Sequence, residues 1–282
     1  MIKHIPVLLN AVMENLGDIR DKRVLDATFG AGGYTRAFLN AGASVVAFDR
    51  DPHVLDDIKL IKEEFWARFE FVPRPFSAMA ELTDTFDAIV FDLGISSMQI
   101  DNPERGFSFR ADAALDMRMS GNGPTVRDMF EQWTVTEITK ILRDYGDVKP
   151  AMAIANAIKQ KMPKTTFELR DLIHNPRDVA PTFQALRIAV NDEMGELQRA
   201  LVSVPNLLNV GGKCICVTFH SLEDRIVKNT FRDWTTAPGD PRMPQTSQPR
   251  FKLIRAQTPN EQEIDRNPRA RSAHMRGVKK SC

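Results

Sequence analysis

Four short apolar runs occur in the first 92 residues of this 282-residue chain, near 23–27, 44–49, 69–72 and 87–92. Between them, apolar positions recur every three or four residues, which is typical of amphipathic helices. Strands that alternate with helices in this way form a parallel sheet with helices packed on its faces. The sequence therefore predicts an α/β fold.

A fifth strand is expected at 213–219, so about 120 residues separate it from the fourth strand. A single crossover needs far fewer residues, and the excess predicts an insertion. The insertion has helical periodicity along most of its length. We therefore expect one domain from 1–102 and 207–282, with a mainly helical domain inserted over 103–206.

Several helices are predicted within the insertion. The short ones cover 125–132, 135–145, 150–161 and 166–174. Thr125 and Thr166 are expected to cap two of them, because a threonine hydroxyl can accept a hydrogen bond from an N–H of the first turn. A single long amphipathic helix is predicted from the spacing of Phe183, Leu186, Val190, Met194, Leu197 and Leu201.

The chain beyond the fifth strand has its own signals. Ser221-Leu222-Glu223-Asp224 has the form of a capping box and predicts the start of a helix. The segment 235–250 contains four prolines and few apolar residues, which predicts a mobile loop. The last two strands are expected at 251–256 and 272–278.

A glycine-rich turn follows the first strand, in the sequence Asp26-Ala27-Thr28-Phe29-Gly30-Ala31-Gly32-Gly33-Tyr34-Thr35. The second strand ends at Asp49, 23 residues after Asp26. Glycines let the backbone approach a nucleoside closely, and a carboxylate at the end of the second strand can accept both ribose hydroxyl hydrogens. This layout indicates a cofactor with an adenosine half. An ordinary tight turn in an α/β protein is the alternative.

The details of the turn favour one cofactor. In the dinucleotide motif G-x-G-x-x-G the third glycine would stand where this chain has Thr35. The order acid-x-T-x-G-x-G instead looks like the first motif of class I methyltransferases, which bind S-adenosylmethionine. In this interpretation Gly30 and Gly32 belong to the cofactor turn, and Asp26 meets the cofactor's positive amino group directly or through water.

The fourth strand also ends in an acid, within Asp92-Leu93-Gly94-Ile95-Ser96-Ser97. Ligands of open α/β sheets bind at the carboxyl ends of the strands. We therefore expect Asp26, Asp49 and Asp92 to project into one crevice. Phe76, after the third strand, can reach the same place and offer a flat face to adenine.

With these motifs the chain resembles the MraW family, the bacterial small-subunit rRNA cytosine-N4 methyltransferases. The matching segments run from end to end and include Thr182-Phe183-Gln184-Ala185-Leu186-Arg187-Ile188 and Phe219-His220-Ser221-Leu222-Glu223-Asp224-Arg225. The shared segments also include Glu104-Arg105-Gly106-Phe107-Ser108-Phe109, Leu115-Asp116-Met117-Arg118-Met119 and Asn267-Pro268-Arg269-Ala270-Arg271-Ser272. The chain departs from many relatives at Ala113-Ala114, Asp147-Val148-Lys149 and Val179-Ala180-Pro181, in the region expected to face RNA.

The resemblance implies a class I, Rossmann-like methyltransferase fold. It implies methylation of the N4 amine of a cytidine in the P site of the decoding centre of 16S rRNA, within the small ribosomal subunit. The cofactor contacts implied at matching positions are Gly32, Gly33, Tyr34, Asp49, Phe76, Asp92 and Gln99.

The proposed chemistry needs an acceptor for the amine's N–H, because the amine's lone pair is delocalised into the ring. Asp92 is the main candidate, although it could instead hold the cofactor's amino group. Ser96 and Ser97 could accept from the amine or donate to the ring oxygen. His220 could face the site, or it could fix the start of the helix at Ser221.

RNA contacts are expected from basic and aromatic residues. Arg105, Arg110 and Arg118, with Phe107 and Phe109 between them, resemble a surface that binds phosphates and stacks bases. If this surface is instead structural, the two phenylalanines belong to the core. The further RNA candidates are Arg225, Arg269, Arg271 and Arg276, together with the segment 235–250, which could order on RNA.

The charge distribution agrees with a polyanionic partner. The net charge is +1, but the part from Arg225 onward has 13 basic and 5 acidic residues, whereas the preceding 224 residues have 25 and 32. A basic C-terminal part suits nucleic acid, although a solvated charged surface is the alternative.

Other features of the sequence limit the class of protein that it can encode. No run approaches 18 apolar residues and no signal peptide is recognisable, so we expect a cytoplasmic protein without a membrane partner. Cys214 and Cys216 are expected to be packing thiols, and the histidines show no metal-binding spacing. A homodimer is left open.

Three alternatives to an rRNA methyltransferase remain at this point. One is a methyltransferase of the same fold that acts on a small molecule or a protein, which the basic C-terminal part disfavours. Another is an RNA-binding ribosome-assembly factor with a vestigial cofactor site, which the intact turn, Asp49 and Asp92 disfavour. The third is a nicotinamide oxidoreductase, which the absent third glycine disfavours.

Overall fold

The computed structural model describes residues 6–237 and 249–282. Seven strands form one sheet in the order β3-β2-β1-β4-β5-β7-β6. They are β1 (Arg23–Asp26), β2 (Ser44–Phe48), β3 (Phe69–Val72), β4 (Phe86–Asp92), β5 (Leu208–Thr218), β6 (Phe251–Gln257) and β7 (His274–Lys280). The α/β class is confirmed, as are the seven predicted strands to within a few residues at their ends.

The sheet is parallel from β3 to β5, and β7 runs antiparallel to both of its neighbours. In register, Asp26 pairs with Ala47 on one side and with Val90 on the other. The ends of β1, β2 and β4 therefore lie at one edge, and the residues that follow these strands are neighbours in space.

Twelve α-helices connect or flank the strands in the described residues. Those before β5 are α1 (Leu9–Leu16), α2 (Gly33–Asn40), α3 (Leu55–Phe65), α4 (Ser97–Asp101), α5 (Val126–Gln132), α6 (Val135–Gly146), α7 (Ala151–Lys161), α8 (Thr166–Asp171), α9 (Val179–Asn191) and α10 (Glu193–Leu207). After β5 come α11 (Ser221–Thr235) and α12 (Glu261–Arg266). No helix in these two described ranges is long and apolar enough to cross a membrane.

The chain divides into two compact units. Unit 1 comprises Met1–Gly94 and Gly195–Cys282, and unit 2 comprises Ile95–Met194. The sequence placed the boundaries of the insertion later, after residues 102 and 206. Unit 2 contains α4 to α9, so the inserted part is mainly helical.

The core of unit 1 lies between the sheet and its flanking helices. Phe91 from β4, Val227 and Phe231 from α11 and Cys214 and Cys216 from β5 are all buried there. Both thiols are free, which confirms their prediction as packing residues. Since apolar residues dominate the faces of the central strands, burial of this surface holds the helices on the sheet.

Unit 2 has a separate apolar core, and several of its helices begin at side-chain caps. Thr125 caps α5 and Thr134 caps α6, each with a carboxylate three residues later that bonds back to the cap. The predicted cap at Thr166 is wrong: Thr165 accepts from the N–H of Glu168 instead. Thr166 is fully buried, and its hydroxyl donates to Ala111 O at 2.7 Å, so it is already engaged elsewhere.

The single long helix predicted across residues 183–201 is also wrong. The chain leaves the helix at Asp192, whose φ of 48° is left-handed, and α10 starts at the next residue. The preceding residue, Asn191, is buried, and its side chain donates to Met117 O and accepts from Met119 N, each at 2.7 Å. Helical apolar spacing continues through the break, which is why periodicity alone missed it.

The capping box of α11 is shifted by one residue from its prediction. His220, and not Ser221, is the N-cap, and Glu223 is its reciprocal partner. The helix continues to Thr235, at the start of the segment predicted to be a mobile loop. Most of that segment, 238–248, lies outside the described residues.

Candidate functional site

The glycine turn between β1 and α2 is closely packed from behind. Gly32 has a φ of 72°, and a Cβ placed on it would lie 2.6 Å from Ile61 Cδ1. A Cβ on Gly33 would clash with the ring of Pro6. Glycine is therefore required at Gly32 by backbone conformation and by packing, and at Gly33 by packing against Pro6.

Asp26 ends β1 and is fully buried beneath this turn. Its Oδ1 accepts from Thr28 N at 3.1 Å and its Oδ2 accepts from Thr35 Oγ1 at 2.6 Å. Burial raises the pKa of Asp26 to about 6, although these hydrogen bonds act in the opposite direction. Asp26 therefore fixes the conformation of the turn from within, and it has no exposed surface of its own.

Asp49, which follows β2, binds the turn from the other side. Its Oδ2 accepts from Gly30 N and its Oδ1 accepts from Asp51 N, each at 2.8 Å. The side chain is half-buried, and burial raises the pKa of its carboxyl group. Because a carboxylate oxygen has two lone pairs, both oxygens can still accept a further hydrogen bond.

Asp92 ends β4, beside Asp26. Its backbone N–H donates to Thr28 Oγ1 at 2.7 Å, which ties the ends of β4 and β1 together. Its Oδ1 is buried and has no hydrogen-bond partner. The pKa of Asp92 is raised well above its usual value by burial first, and then by the charges of Asp26 and Glu223. An unpaired acceptor among carboxyl groups suits a ligand that carries positive charge and N–H donors.

Two aromatic residues lie near this edge of the sheet. Phe76 begins a short 3₁₀-helix after β3 and packs edge-on against Phe91, with ring centroids 5.8 Å apart. It is partly buried, so part of its ring remains exposed. Tyr34 is buried, and its hydroxyl donates to Val7 O. Of the two rings, only Phe76 has substantial exposed surface for an adenine.

His220 and Glu223 lie next to the end of β5, in the first turn of α11. Glu223 is almost completely buried, and its Oε2 accepts from Phe219 N at 2.8 Å. Nε2 of His220 lies 3.0 Å from Glu223 Oε1, although the alignment is poor for a hydrogen bond. His220 fixes the start of the helix through its other ring nitrogen, because Nδ1 accepts from Glu223 N at 3.5 Å, and this was one of its two predicted roles.

The other predicted residues that follow β4 belong to unit 2. Ser96 caps the short α4: its Oγ accepts from Gln99 N at 3.3 Å, and its own N–H donates to Gln99 Oε1 at 3.0 Å. Gln99 is buried. The side chain of Ser97 lies outside the described part of the structure.

In unit 2, Arg105 and Phe107 are buried and do not form the exposed RNA-binding surface that was predicted for them. Arg105 is buried, and its Nη2 donates to the carbonyls of Arg118 and Met119 at 2.8 and 2.9 Å. Its guanidinium lies over the ring of Phe107, which is buried in the core. The interpretation of these two residues as RNA contacts is thus corrected, because backbone carbonyls and an aromatic face already surround the guanidinium.

The remaining basic candidates differ in exposure and pairing. Arg118 forms a two-bond pair with Asp116, at 2.7 and 2.8 Å. Arg276 is similarly paired with Asp224, at 2.6 and 2.8 Å. In both pairs a carboxylate already balances the guanidinium charge. The exposed candidates are Arg110, Arg225, Arg269 and Arg271.

Sequence reasoning did not single out three contributors to the site. Thr35 donates to the Asp26 carboxyl, the Thr28 hydroxyl accepts from the backbone N–H of Asp92, and Pro6 packs against the turn. The threonines stand within the quoted motif, so their polarity was the available signal. Among the described residues, no group of three His, Cys, Asp or Glu side chains could hold a metal ion.

A family model described as the MraW methylase family matches residues 1–281. The chain belongs to this family. Its relative from Chelativorans sp. (strain BNC1), named Ribosomal RNA small subunit methyltransferase H, is 43% identical and aligns over 99% of this chain and 88% of its own length. A relative of the same name from Granulibacter bethesdensis is 42% identical, over 98% and 90%.

The comparison with solved structures concerns the fold alone. A Streptococcus mutans protein solved in complex with SAH has a TM-score of 0.50 and 13% identity, and the alignment covers 99% of both chains. Together with the family and the observed strand order, this likeness confirms the predicted class I, Rossmann-like fold.

Proposed function

We propose that this chain is an S-adenosylmethionine-dependent methyltransferase that methylates the N4 amine of a cytidine in the decoding centre (P site) of 16S rRNA. Membership of the MraW methylase family and the names of its relatives support rRNA of the small subunit as the substrate. The observation that carries the proposal is the buried Oδ1 of Asp92, which has no partner.

The residues around Asp92 fit the cofactor in charge and in hydrogen bonding. Asp49 would accept from the ribose hydroxyls, and Phe76 would pack against the adenine. Asp26 would act beneath the turn, where its carboxyl holds Thr28 and Thr35 and favours the cofactor's positive charge. Tyr34 would contribute through its backbone, because its hydroxyl is already bonded to Val7. When bound, S-adenosylmethionine supplies a methyl group on a positively charged sulfur.

Asp92 would accept a hydrogen bond from the N4 amine and so make its nitrogen a better nucleophile. The nitrogen loses one proton as it gains the methyl group, and the free Oδ1 can hold that proton. Burial and the charges of Asp26 and Glu223 raise the pKa of Asp92, so its carboxyl holds a proton more tightly than an ordinary one and is suited to this exchange. Ser96, Ser97 and His220 remain proposed contributors.

The rRNA would contact exposed arginines. Arg225, Arg269 and Arg271 lie in the basic C-terminal part, and Arg110 belongs to unit 2. Their charges suit phosphate contacts, which give affinity and little sequence selectivity. The cytidine would have to be unpaired or flipped out of its stack to reach the methyl group.

The experiment is nucleoside mass spectrometry on small subunits that lack the modification, incubated with the protein and S-adenosylmethionine. We expect N4-methylcytidine with the unaltered protein and a loss of at least 100-fold in rate with Asp92→Asn. Asp87→Asn is the matched control: Asp87 lies on the same strand but bonds to Arg23 N and Asn209, and its variant should retain the activity.

Two outcomes of this experiment would contradict parts of the proposal. Cofactor binding without any methylated cytidine would contradict the proposed reaction and favour a role in ribosome assembly. Full activity of Asp92→Asn would remove Asp92 from the chemistry.

A further inference from the structure

Two carboxyl groups lie close to the ends of the neighbouring strands β4 and β5: Asp92, whose Oδ1 is buried, and Glu223, which is almost completely buried in the first turn of α11. Asp92 pairs in register with Val217, and the N–H of Leu93 donates to Val217 O at 2.9 Å. Glu223 approaches from the first turn of α11, where its Oε1 would be 3.8 Å from a Cβ placed on Gly94. Glu223 therefore reaches back from α11 to the residues that directly follow β4.

Helix capping explains only part of this arrangement. Glu223 accepts from the backbone N–H of His220 at 3.3 Å, as the third residue of a capping box does. Glu137 has the same role in α6, where it accepts from Thr134 N at 2.7 Å, but Glu137 is exposed. Capping does not require burial, and burying a carboxylate costs free energy. The burial of Glu223 therefore needs another reason.

Asp92 is surrounded by groups that oppose its negative charge. Asp26 on β1 and Glu223 on α11 both raise the pKa of Asp92, in addition to the effect of burial. Other titratable groups near these carboxyls include Tyr34 on α2, His220 at the start of α11 and Asp49, whose charge acts on Asp26. Since like charges disfavour ionisation and a positive ligand favours it, the state of Asp92 should depend on what is bound beside it.

We propose that Glu223 is a positioning residue of the methyl-transfer site: it places a second carboxylate beside Asp92, so that Asp92 gives up its proton when a positively charged cofactor binds. This inference rests on the proposed function. The proton leaves to solvent on binding, and the resulting Asp92 carboxylate takes one proton from the amine as the nitrogen forms its bond to the methyl carbon. Without Glu223, Asp92 would already be ionised in the ligand-free protein over a wider pH range.

The direct test is a ¹³C NMR titration of side-chain carboxyl carbons in the ligand-free protein. Asp92→Asn identifies the signal of Asp92 by its absence. We expect Glu223→Gln, which preserves shape and a hydrogen-bond acceptor, to lower the midpoint of the Asp92 titration by about one pH unit. An unchanged midpoint would overturn the inference.

Glu137→Gln is the matched control, because it makes the same change in an exposed capping box. It should weaken α6 as Glu223→Gln weakens α11, but leave the Asp92 midpoint where it is. If both variants moved the midpoint equally, a general loss of stability would explain the effect and the inference would fail. Should Glu223→Gln not fold, Glu223→Asp keeps the charge on a shorter side chain and should give a smaller decrease in the same direction.

A second measurement separates this inference from the proposed reaction. Calorimetry of S-adenosylmethionine binding in two buffers of different ionisation enthalpy counts the protons released. We expect release near the Asp92 midpoint in the unaltered protein and less release at that pH in Glu223→Gln. Equal release would contradict the role of Glu223. Absence of methylated cytidine would contradict the reaction alone, because the titration of Asp92 does not depend on turnover.

Discussion

Asp26, Asp49 and Asp92 all end or follow buried strands, yet their carboxyl groups have different partners. Both oxygens of Asp26 are bonded inside the protein, and those of Asp49 hold the backbone of Gly30 and Asp51. Only Asp92 has a buried oxygen without a partner. In the proposed function, one residue type at equivalent positions would shape a turn, present acceptors to a ligand and exchange a proton.

The acceptors of Asp49 lead to a prediction about cofactor affinity. Asp49→Ala removes both the proposed ribose acceptors and the bond that holds Gly30, so we expect affinity for S-adenosylhomocysteine to fall by about 10- to 100-fold. Titration calorimetry measures this change. Asp56→Ala is the control, because the Asp56 side chain is 95% exposed, and it should bind normally. Unchanged affinity of Asp49→Ala would exclude a ribose contact at this position.

The buried Asp26 leads to a prediction about pH and stability. Its pKa is about 6 in the folded protein and near 3.8 when exposed, so the folded state binds the proton more tightly. The contribution of Asp26 to the free energy of unfolding is therefore greatest below pH 3.8 and is lost as the pH rises through about 6.

Replacing Asp26 with Asn should remove this dependence. Urea unfolding at pH 4.5 and pH 7 measures it: the unaltered protein should lose on the order of 1–3 kcal/mol more than Asp26→Asn between these two values. Parallel losses in both proteins would show that Asp26 does not titrate in this range.

Element ends were the least predictable features of secondary structure. The break between α9 and α10 depends on Asn191, whose amide binds the backbone of residues more than 70 positions earlier. The cap of α8 moved to Thr165 because tertiary contacts occupy Thr166. These contacts involve distant parts of the chain, so helical spacing cannot reveal them, whereas Thr125 makes a purely local cap and was correctly predicted.

The C-terminal end of α6 allows a test of how backbone conformation at a helix end affects stability. Asp147 has a φ of 50°, and its side chain is 88% exposed. Asp147→Gly should stabilise the protein by about 0.5–1 kcal/mol, because glycine adopts this left-handed conformation without steric cost. Asp147→Ala makes a similar truncation without relieving the backbone and should not stabilise. Chemical denaturation compares the two variants, and an equal response would contradict the role of backbone strain.

At the scale of the whole molecule, the charges are divided unevenly along the chain. The exposed arginines of the C-terminal part belong to unit 1, which also contains the three strand-end aspartates. In the proposed function these two sets of residues have separate tasks: the arginines would hold phosphates by positive charge, and the carboxyls would hold the cofactor's cation by negative charge.

This separation predicts how RNA affinity depends on salt. The double variant Arg225→Ala and Arg271→Ala should weaken RNA binding and lower the slope of log affinity against log salt by about 1–2. Affinity for S-adenosylhomocysteine should stay unchanged. Filter binding at several salt concentrations measures the slope. Arg276→Ala should have a smaller effect on it, because Arg276 is paired with Asp224. An unaltered slope in the double variant would place the phosphate contacts elsewhere.

The sequence by itself determined the seven strands, the insertion and the glycine turn, because these depend on periodicity and local backbone chemistry. It also placed Asp26, Asp49 and Asp92 at strand ends. Only the tertiary structure decided which of their oxygens stay unpaired, that Arg105 is buried under backbone carbonyls, and that Glu223 reaches the residues that follow Asp92. Those properties arise from contacts between distant segments of the chain. The spacing of apolar and polar residues within one segment does not predict burial or hydrogen bonding at such contacts.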